Sequence, residues 1–163
     1  MLTVMTWNIR NGGRDTPGRA APTATADRGV GPGVERLDRI RRVLADRRPD
    51  VLALQELRGL DDPDRLDRFA EALGMRAHPA RAWFGQSVAV LVRPPVRVLS
   101  VGPVRRPFHH AAARVVVATD RGPLTVVATH LCPYSGGRRL REARWLRAAL
   151  PAPGTGMALL LGD

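Results

Sequence analysis

Short apolar segments, each about as long as one buried strand, recur along the whole chain and are separated by amphipathic helices. Residues 2–9 (LTVMTWNI) and 50–56 (DVLALQE) are apolar and β-favouring, and each predicts a buried strand. Between them, Leu37, Ile40 and Leu44 share one face of a helix. Because strands and one-sided helices must bury their apolar faces against other elements, this mixture predicts an α/β fold built in layers.

The other elements follow from the same two periodicities. In chain order, they are a helix from 34 to about 48, a helix at 64–73 that stops at Gly74, strands at 87–92 and 96–104 (the second interrupted at Gly102), a hairpin of 113–119 and 124–131 around a turn at 120–123, a helix at 139–150 and a strand at 157–161. Residues 11–33 are rich in Gly, Pro, Ala and Thr and have no period. A loop of that length is functional or disordered, and we expect a flexible, disordered loop within a single domain spanning 1–163.

The formal net charge of +11 would ordinarily favour a nucleic-acid partner. All 26 basic residues are arginines, however, and they are spread through helices and loops in a chain rich in Ala, Gly and Pro. Such a compositional bias raises the charge everywhere, whatever the partner is. The charge is therefore weak evidence for nucleic-acid binding.

Cys132 is the only cysteine, which excludes an intrachain disulfide and fits a reducing cytoplasm. We expect it to be a small apolar filler and not a catalytic thiol. No apolar run approaches the roughly 20 residues that cross a bilayer, so we predict no membrane span and a cytoplasmic location. The oligomeric state is left open by the sequence.

One polar residue of a ligand type stands at the end of each of four apolar strands. These residues are Asn8, Glu56, His130 and Asp163. Open α/β sheets bind ligands outside the carboxyl ends of their strands, so four such residues predict a common site. Each residue alone has an ordinary explanation that is the more frequent one: a turn former, a helix start, a satisfied buried histidine and a loop carboxylate.

Five stretches in this order resemble the motifs of a known family. They are TWNI at 6–9, PDVLALQE at 49–56, SVAVL at 87–91, THL at 129–131 and LLGD at 160–163. They resemble the TWN, PDVxxLQE, GxAIL and THL motifs and the first half of the GDFN motif of the endonuclease/exonuclease/phosphatase family, which includes pancreatic-type deoxyribonuclease. The resemblance covers essentially the whole chain. It implies an α/β/β/α layered sandwich of the deoxyribonuclease-like type, incomplete at the C-terminus, and metal-dependent hydrolysis of a phosphoester.

The resemblance also implies a role for each of the four residues. Glu56 matches the metal-binding glutamate, and Asn8 matches the asparagine that supports the metal and the scissile phosphate. His130 matches the histidine that contacts the phosphate, and Asp163 matches the aspartate that orients or activates the attacking water. The implied cofactor is Mg²⁺, with Mn²⁺ as an alternative, since Mg²⁺ takes one or two carboxylates and completes its shell with water and substrate phosphate.

The family pattern continues beyond Gly-Asp with the asparagine of GDxN and an SDH-type motif, which supplies a metal-binding aspartate and the general base. Residues 1–163 contain neither, so we expect a fragment or truncated product with little activity of its own. The alternative is a non-catalytic remnant or a nucleic-acid-binding fragment. The substrate, which is DNA, RNA, a phospholipid or a small phosphoester, is left open.

Three further features have weaker functional interpretations. His109 and His110 are expected at the end of a loop and not as a second catalytic pair. The arginines at 138, 139, 141 and 144 are expected to form a solvated helix face, although one of them could reach a phosphate. Gly154-Thr155-Gly156 could bind a phosphate, but no Walker-type lysine follows it.

Overall fold

The structure is a computed structural model that describes residues 1–14 and 32–163, with side chains of the second range described from Arg36 onward. Its helices and strands are, in chain order, β1 (Val4–Asn8), α1 (Pro32–Arg47), β2 (Val51–Gln55), α2 (Pro63–Ala72), β3 (Arg76–Ala80), β4 (Val88–Val92), β5 (Val98–Pro103), β6 (Ala112–Thr119), β7 (Gly122–Thr129), α3 (Gly136–Ala149) and β8 (Met157–Gly162). A short 3-10 turn at Asn11–Gly13 follows β1. Residues 15–31 of the loop expected to be disordered lie outside the described residues.

The strands form two four-stranded sheets, ordered β1-β2-β4-β3 and β5-β6-β7-β8. Each sheet contains one parallel pair, β1 with β2 and β7 with β8, and the other neighbours are antiparallel. In the first parallel pair Asn8 is the register partner of Gln55, and in the second Thr129 is the partner of Gly162. Asn8, which ends β1, and the three residues that directly follow β2, β7 and β8 therefore lie at the ends of parallel strands.

Three apolar clusters separate four layers. Helices α1 and α2 pack on the outer face of the first sheet, with Leu44 and Leu66 buried against Leu54. The inner faces of the two sheets pack together through residues such as Val90 and Val126. Helix α3 covers the outer face of the second sheet. Each fully buried side chain of this kind contributes roughly 1.5–3 kcal/mol. The predicted α/β/β/α sandwich is confirmed.

Most predicted elements agree with the structure to within a few residues, but the hairpin turn and β5 differ. Gly122 and Pro123 belong to β7, so the turn is shorter than the predicted tetrapeptide. Gly122 has a φ of 107°, a conformation that glycine adopts without strain, which lets the strand begin directly after the turn. The predicted interruption of β5 at Gly102 is wrong, because the pairing with β6 is irregular between Val98 and Ser100 instead.

Two elements were missed or placed too late. Strand β3 (RAHPA) has no apolar alternation and contains Pro79, and its position at the sheet edge explains why proline is tolerated there. Helix α3 begins three residues earlier than predicted, because the Ser135 side chain accepts the Arg138 N–H and caps a helix that opens with two glycines.

Within the described residues, no helix has an apolar stretch long enough to span a bilayer.

Candidate active site

Glu56 directly follows β2 and has a left-handed backbone with a φ of 61°. This conformation costs a residue other than glycine roughly 1–2 kcal/mol, so contacts around it must hold it in place. The Gly12 N–H donates to the Glu56 carbonyl oxygen at 2.6 Å. A Cβ at Gly12 would collide with the Arg58 carbonyl, so this close approach of two chain segments requires glycine. The backbone of Glu56 is thus fixed by the turn after β1.

Three donors hold the half-buried Glu56 carboxylate. Asn8 Nδ2 donates to Oε1 at 2.9 Å, while the Asn11 N–H and Gln86 Nε2 donate to Oε2 at 3.1 and 3.0 Å. Burial raises the pKa of Glu56, but these hydrogen bonds and the positive potential of His130 outweigh it and leave the pKa below its ordinary value. Glu56 is therefore ionised at neutral pH and is held by neutral donors that do not cancel its charge.

Asn8, the last residue of β1, joins two carboxylates. Its Nδ2 also donates to Asp163 Oδ2 at 2.8 Å, while its Oδ1 accepts the Arg10 N–H at 2.9 Å. The second bond fixes the orientation of the amide, because a flipped amide would place its NH₂ group against the Arg10 N–H. Asn8 therefore presents its amide nitrogen, and not its oxygen, to Glu56 and Asp163.

His130 follows β7 and lies beside Asp163, which follows β8. The Leu131 N–H donates to the Asp163 carbonyl oxygen at 2.9 Å, so the two strand ends are joined. The imidazole of His130 is buried and lies against that of His110, with ring centroids 4.2 Å apart. His130 Nδ1 and His110 Nε2 are buried and have no hydrogen-bond partner among the described residues. Each offers a polar atom to a ligand.

His110 is held by the loop that also supports Glu56. The Gln86 N–H donates to His110 Nδ1 at 2.8 Å, which leaves the proton of a neutral ring on Nε2. Burial and the neighbouring His130 and His109 lower the pKa of His110 to about 4. His110 is therefore neutral at pH 7.

Glu142, on α3, is fully buried and anchors the chain segments that carry the histidines. Its Oε1 accepts the His109 N–H at 2.7 Å and its Oε2 accepts the Cys132 N–H at 2.8 Å. The Cys132 side chain is itself buried, as expected of a small filler. The segment that carries His109 and His110 and the segment that carries His130 are thus both hydrogen-bonded to the Glu142 carboxylate.

The oxygen donors at this site fit Mg²⁺. Two carboxylates held on one amide nitrogen form a concentration of negative charge, which a hard cation with oxygen ligands offsets. Glu56 is half-buried and Asp163 is exposed, so a hydrated ion has access to both. Among the described side chains, no group of three or more His, Cys, Asp and Glu residues is arranged to hold a metal ion. A site of one or two carboxylates completed by water does not need such a group.

The structure brings together the four residues singled out from the sequence, and sequence reasoning missed three others. Gln86 lies two residues before β4 and is followed by Ser87, so a polar pair before an apolar strand was the signal that the sequence offered. His110 was placed at a loop end, where it does lie, but its contact with His130 was not foreseen. Glu142 gave no signal, since a glutamate on an arginine-rich helix is typical of a solvated face.

Of the four arginines expected to form a solvated face of α3, Arg139, Arg141 and Arg144 are exposed and Arg138 is half-buried. Arg138 Nη2 donates to the Pro107 carbonyl at 3.2 Å, and Arg139 Nη1 donates to the Cys132 and Pro133 carbonyls. These two side chains therefore tie α3 to loops beside the site. The segment 154–156 lies in the connection between α3 and β8, where the Thr155 hydroxyl donates to a backbone carbonyl.

The chain matches the model of the Endonuclease/Exonuclease/phosphatase family over residues 5–163. No curated protein matches it. Among solved structures it is similar to ANGEL2, described as a 2',3'-cyclic phosphatase, with 20% identity and a TM-score of 0.65 over 78% of this chain and 42% of ANGEL2. It is similar to the human Nocturnin catalytic domain, with 17% identity and a TM-score of 0.67 over 99% of this chain and 63% of that domain.

A third similar structure is D. rerio TDP2 complexed with a single strand DNA product, with 19% identity and a TM-score of 0.67 over 99% of this chain and 60% of TDP2. At these identities the likeness shows the fold, and the chain spans less than two thirds of each of the three structures. The family match extends from β1 to Asp163 and includes every strand end that contributes to the site. The chain belongs to the endonuclease/exonuclease/phosphatase family.

Proposed function

We propose that the protein hydrolyses a phosphoester with the help of a divalent cation, Mg²⁺ or alternatively Mn²⁺, at the site formed by Asn8, Glu56, His130 and Asp163. The observation that carries the proposal is that one amide nitrogen of Asn8 holds the carboxylates of Glu56 and Asp163 at 2.9 and 2.8 Å. Family members are phosphoester hydrolases that typically use Mg²⁺, which supports the proposal.

In this proposal Glu56 is the metal ligand. Its lowered pKa means that no proton has to leave before a cation binds. Asn8 supports the ion by keeping Glu56 and Asp163 together, and Asp163, which is exposed, orients the attacking water. His130 donates a hydrogen bond to a phosphate oxygen. When bound, Mg²⁺ would supply charge that stabilises the phosphate oxygens in the transition state.

The source of the general base separates this proposal from a non-catalytic role. The family resemblance assigns the base to an SDH-type motif, and residues 1–163 contain no such sequence. A positioned general base contributes roughly 10²–10⁴-fold to a rate. We therefore expect a polypeptide of residues 1–163 alone to show no turnover above background. If His110 acts as the base instead, the same polypeptide has metal-dependent turnover that His110→Ala abolishes.

The activity test uses a chromogenic phosphodiester with Mg²⁺ or Mn²⁺ and compares residues 1–163 with the same residues followed by a family segment that carries the SDH-type motif. In the longer form we expect Glu56→Ala to lower turnover by at least about 100-fold, similar to the loss of one transition-state contact. Glu71→Ala, on the exposed face of α2, is the matched control and is expected to be silent. Metal-dependent turnover that survives Glu56→Ala at low metal concentration contradicts the role of Glu56.

We further propose a nucleic-acid phosphoester, DNA or RNA, as the substrate class and the cytoplasm as the location. The nucleic-acid substrate is supported by family homologues that act on nucleic-acid phosphoesters and by the TDP2 structure with a single strand DNA product. The cytoplasmic location fits the free, buried Cys132.

A further inference from the structure

A cavity of about 750 Å³, within the size range of ligand pockets, is lined in part by His110. One wall is the loop between β3 and β4, which carries Trp83 and Phe84, and the other is the segment 103–108 that follows β5. The two aromatic side chains are 93% and 83% exposed. Large aromatic side chains are usually buried, so two adjacent exposed rings on a concave wall indicate a surface for a ligand.

The cavity is also basic. Four arginines line it: Arg81, Arg105, Arg106 and Arg138. None of its described lining residues is acidic, although the chain as a whole carries 15 acidic residues. Arg138 is held by its hydrogen bond to the Pro107 carbonyl and by an ion pair with the buried Glu142 at 3.4 Å, so its charge already has a partner, while Arg81, Arg105 and Arg106 are exposed. An occupant that complements this cavity is flat or apolar in one part and anionic in another.

The cavity meets the candidate active site at His110. The His110 ring lines the cavity and lies 4.2 Å from the His130 ring, centroid to centroid. The loop between β3 and β4 is hydrogen-bonded to the same residues. The Gln86 backbone N–H donates to His110 Nδ1, and the Gln86 side chain donates to Glu56 Oε2. The loop that carries Trp83 and Phe84 is therefore tied to Glu56 and to His110, which contacts His130.

We propose that this cavity binds a nucleobase of single-stranded nucleic acid by stacking on Trp83 and Phe84, while its exposed arginines, Arg81, Arg105 and Arg106, bind the flanking phosphates. The inference rests on the hydrolase proposed for the adjoining site and specifies its substrate. Bases stack on aromatic side chains when they are free of a duplex, and arginines along the groove follow the backbone charge. A lipid surface fits less well, because the rings and the arginines line one cavity together with His110.

The test measures metal-free binding, in EDTA, so that no turnover is required. Isothermal titration calorimetry compares a short oligothymidylate with an abasic oligomer of the same length, which has the phosphates but no bases. We expect Trp83→Ala to weaken oligothymidylate binding about tenfold, as the loss of one stacking contact does, and to leave abasic binding unchanged. Arg105→Ala is expected to weaken both. Tyr134→Ala, equally exposed but outside the cavity lining, is the matched control and is expected to change neither.

Equal binding of the two oligomers, or a Trp83→Ala variant that binds oligothymidylate normally, overturns the inference. Binding to anionic phospholipid vesicles that Trp83→Ala abolishes, without an effect on oligothymidylate, overturns it in favour of a membrane surface. If base-dependent binding is absent while the chromogenic phosphodiester is still hydrolysed, this inference fails and the proposed hydrolase stands. If base-dependent binding is present while the longer form, which carries the SDH-type motif, hydrolyses nothing, the nucleotide site stands and the hydrolase fails.

Discussion

The first and second sheets meet at the candidate site, and one glutamate lies beside each of them in this region. The two glutamates differ in burial and in the groups that donate hydrogen bonds to them. At the end of the first sheet, Glu56 is half-buried, and two of its three donors are side-chain amides, from Asn8 and Gln86. Beside the second sheet, Glu142 is fully buried, and its main donors are the backbone N–H groups of His109 and Cys132.

This difference separates a carboxylate that is available for chemistry from one that holds the chain in place. Glu142 has no access to solvent, so its carboxylate is available only as an acceptor for the donors that surround it. Glu56 keeps access to solvent and to Asp163 through the shared amide of Asn8. Its left-handed backbone adds strain, which is typical of functional sites and not of structural anchors. A buried carboxylate is thus not in itself a sign of an active site.

The largest expected effect on this comparison comes from making the same substitution at both glutamates. Glu142→Leu removes the ion-pair partner of Arg138 and leaves two buried N–H groups without an acceptor, at about 1–3 kcal/mol each, so we expect the free energy of unfolding to fall by about 2–6 kcal/mol. Glu56→Leu is expected to lower it by less than about 1 kcal/mol, because its half-buried donors can turn to water and an exposed site loses less. Urea denaturation at pH 7 measures both. Equal decreases in the free energy of unfolding in the two variants would show that the two carboxylates contribute equally to stability, which contradicts the comparison.

A smaller effect is expected from His110, which lies between the two regions. Its pKa is about 4 in the folded protein against an ordinary value of 6.5, so the unfolded chain binds more protons between these pH values. The contribution of His110 to stability is therefore fully present above pH 6.5 and is lost as the pH falls toward 4. We expect thermal melting of the wild type to show this decline and His110→Gln to show a shallower one. An unchanged pH profile in the variant would contradict a neutral, buried His110.

The sequence predicted those parts of the molecule that depend on local pattern. The strands ending at Asn8 and Gln55 and the amphipathic face of α2 follow from apolar periodicity, and the layered sandwich follows from the mixture of such elements. Strand β3 could not be predicted because an edge strand with Pro79 has no alternation.

The missed parts of the site depend on contacts between distant segments. The contact of the His110 ring with the His130 ring joins residues 20 positions apart, and the hydrogen bond from Gln86 to Glu56 joins residues 30 positions apart. Such contacts are set by the packing of the two sheets, which no local pattern encodes. The burial of Glu142 likewise depends on where α3 packs on the second sheet.

The most direct test of the central claim, that Glu56 anchors a divalent cation between the two sheet ends, is a Mn²⁺ binding isotherm followed by electron paramagnetic resonance at pH 7. We expect one site in the wild type and at least about a tenfold loss of affinity in Glu56→Gln, since even residues that only support ligands cost that much. Glu71→Gln is the control for the loss of one negative charge, and Glu142→Gln is the control for a less stable fold. Both variants are expected to bind Mn²⁺ more tightly than Glu56→Gln. A Glu56→Gln variant that binds Mn²⁺ as tightly as the wild type would contradict the account.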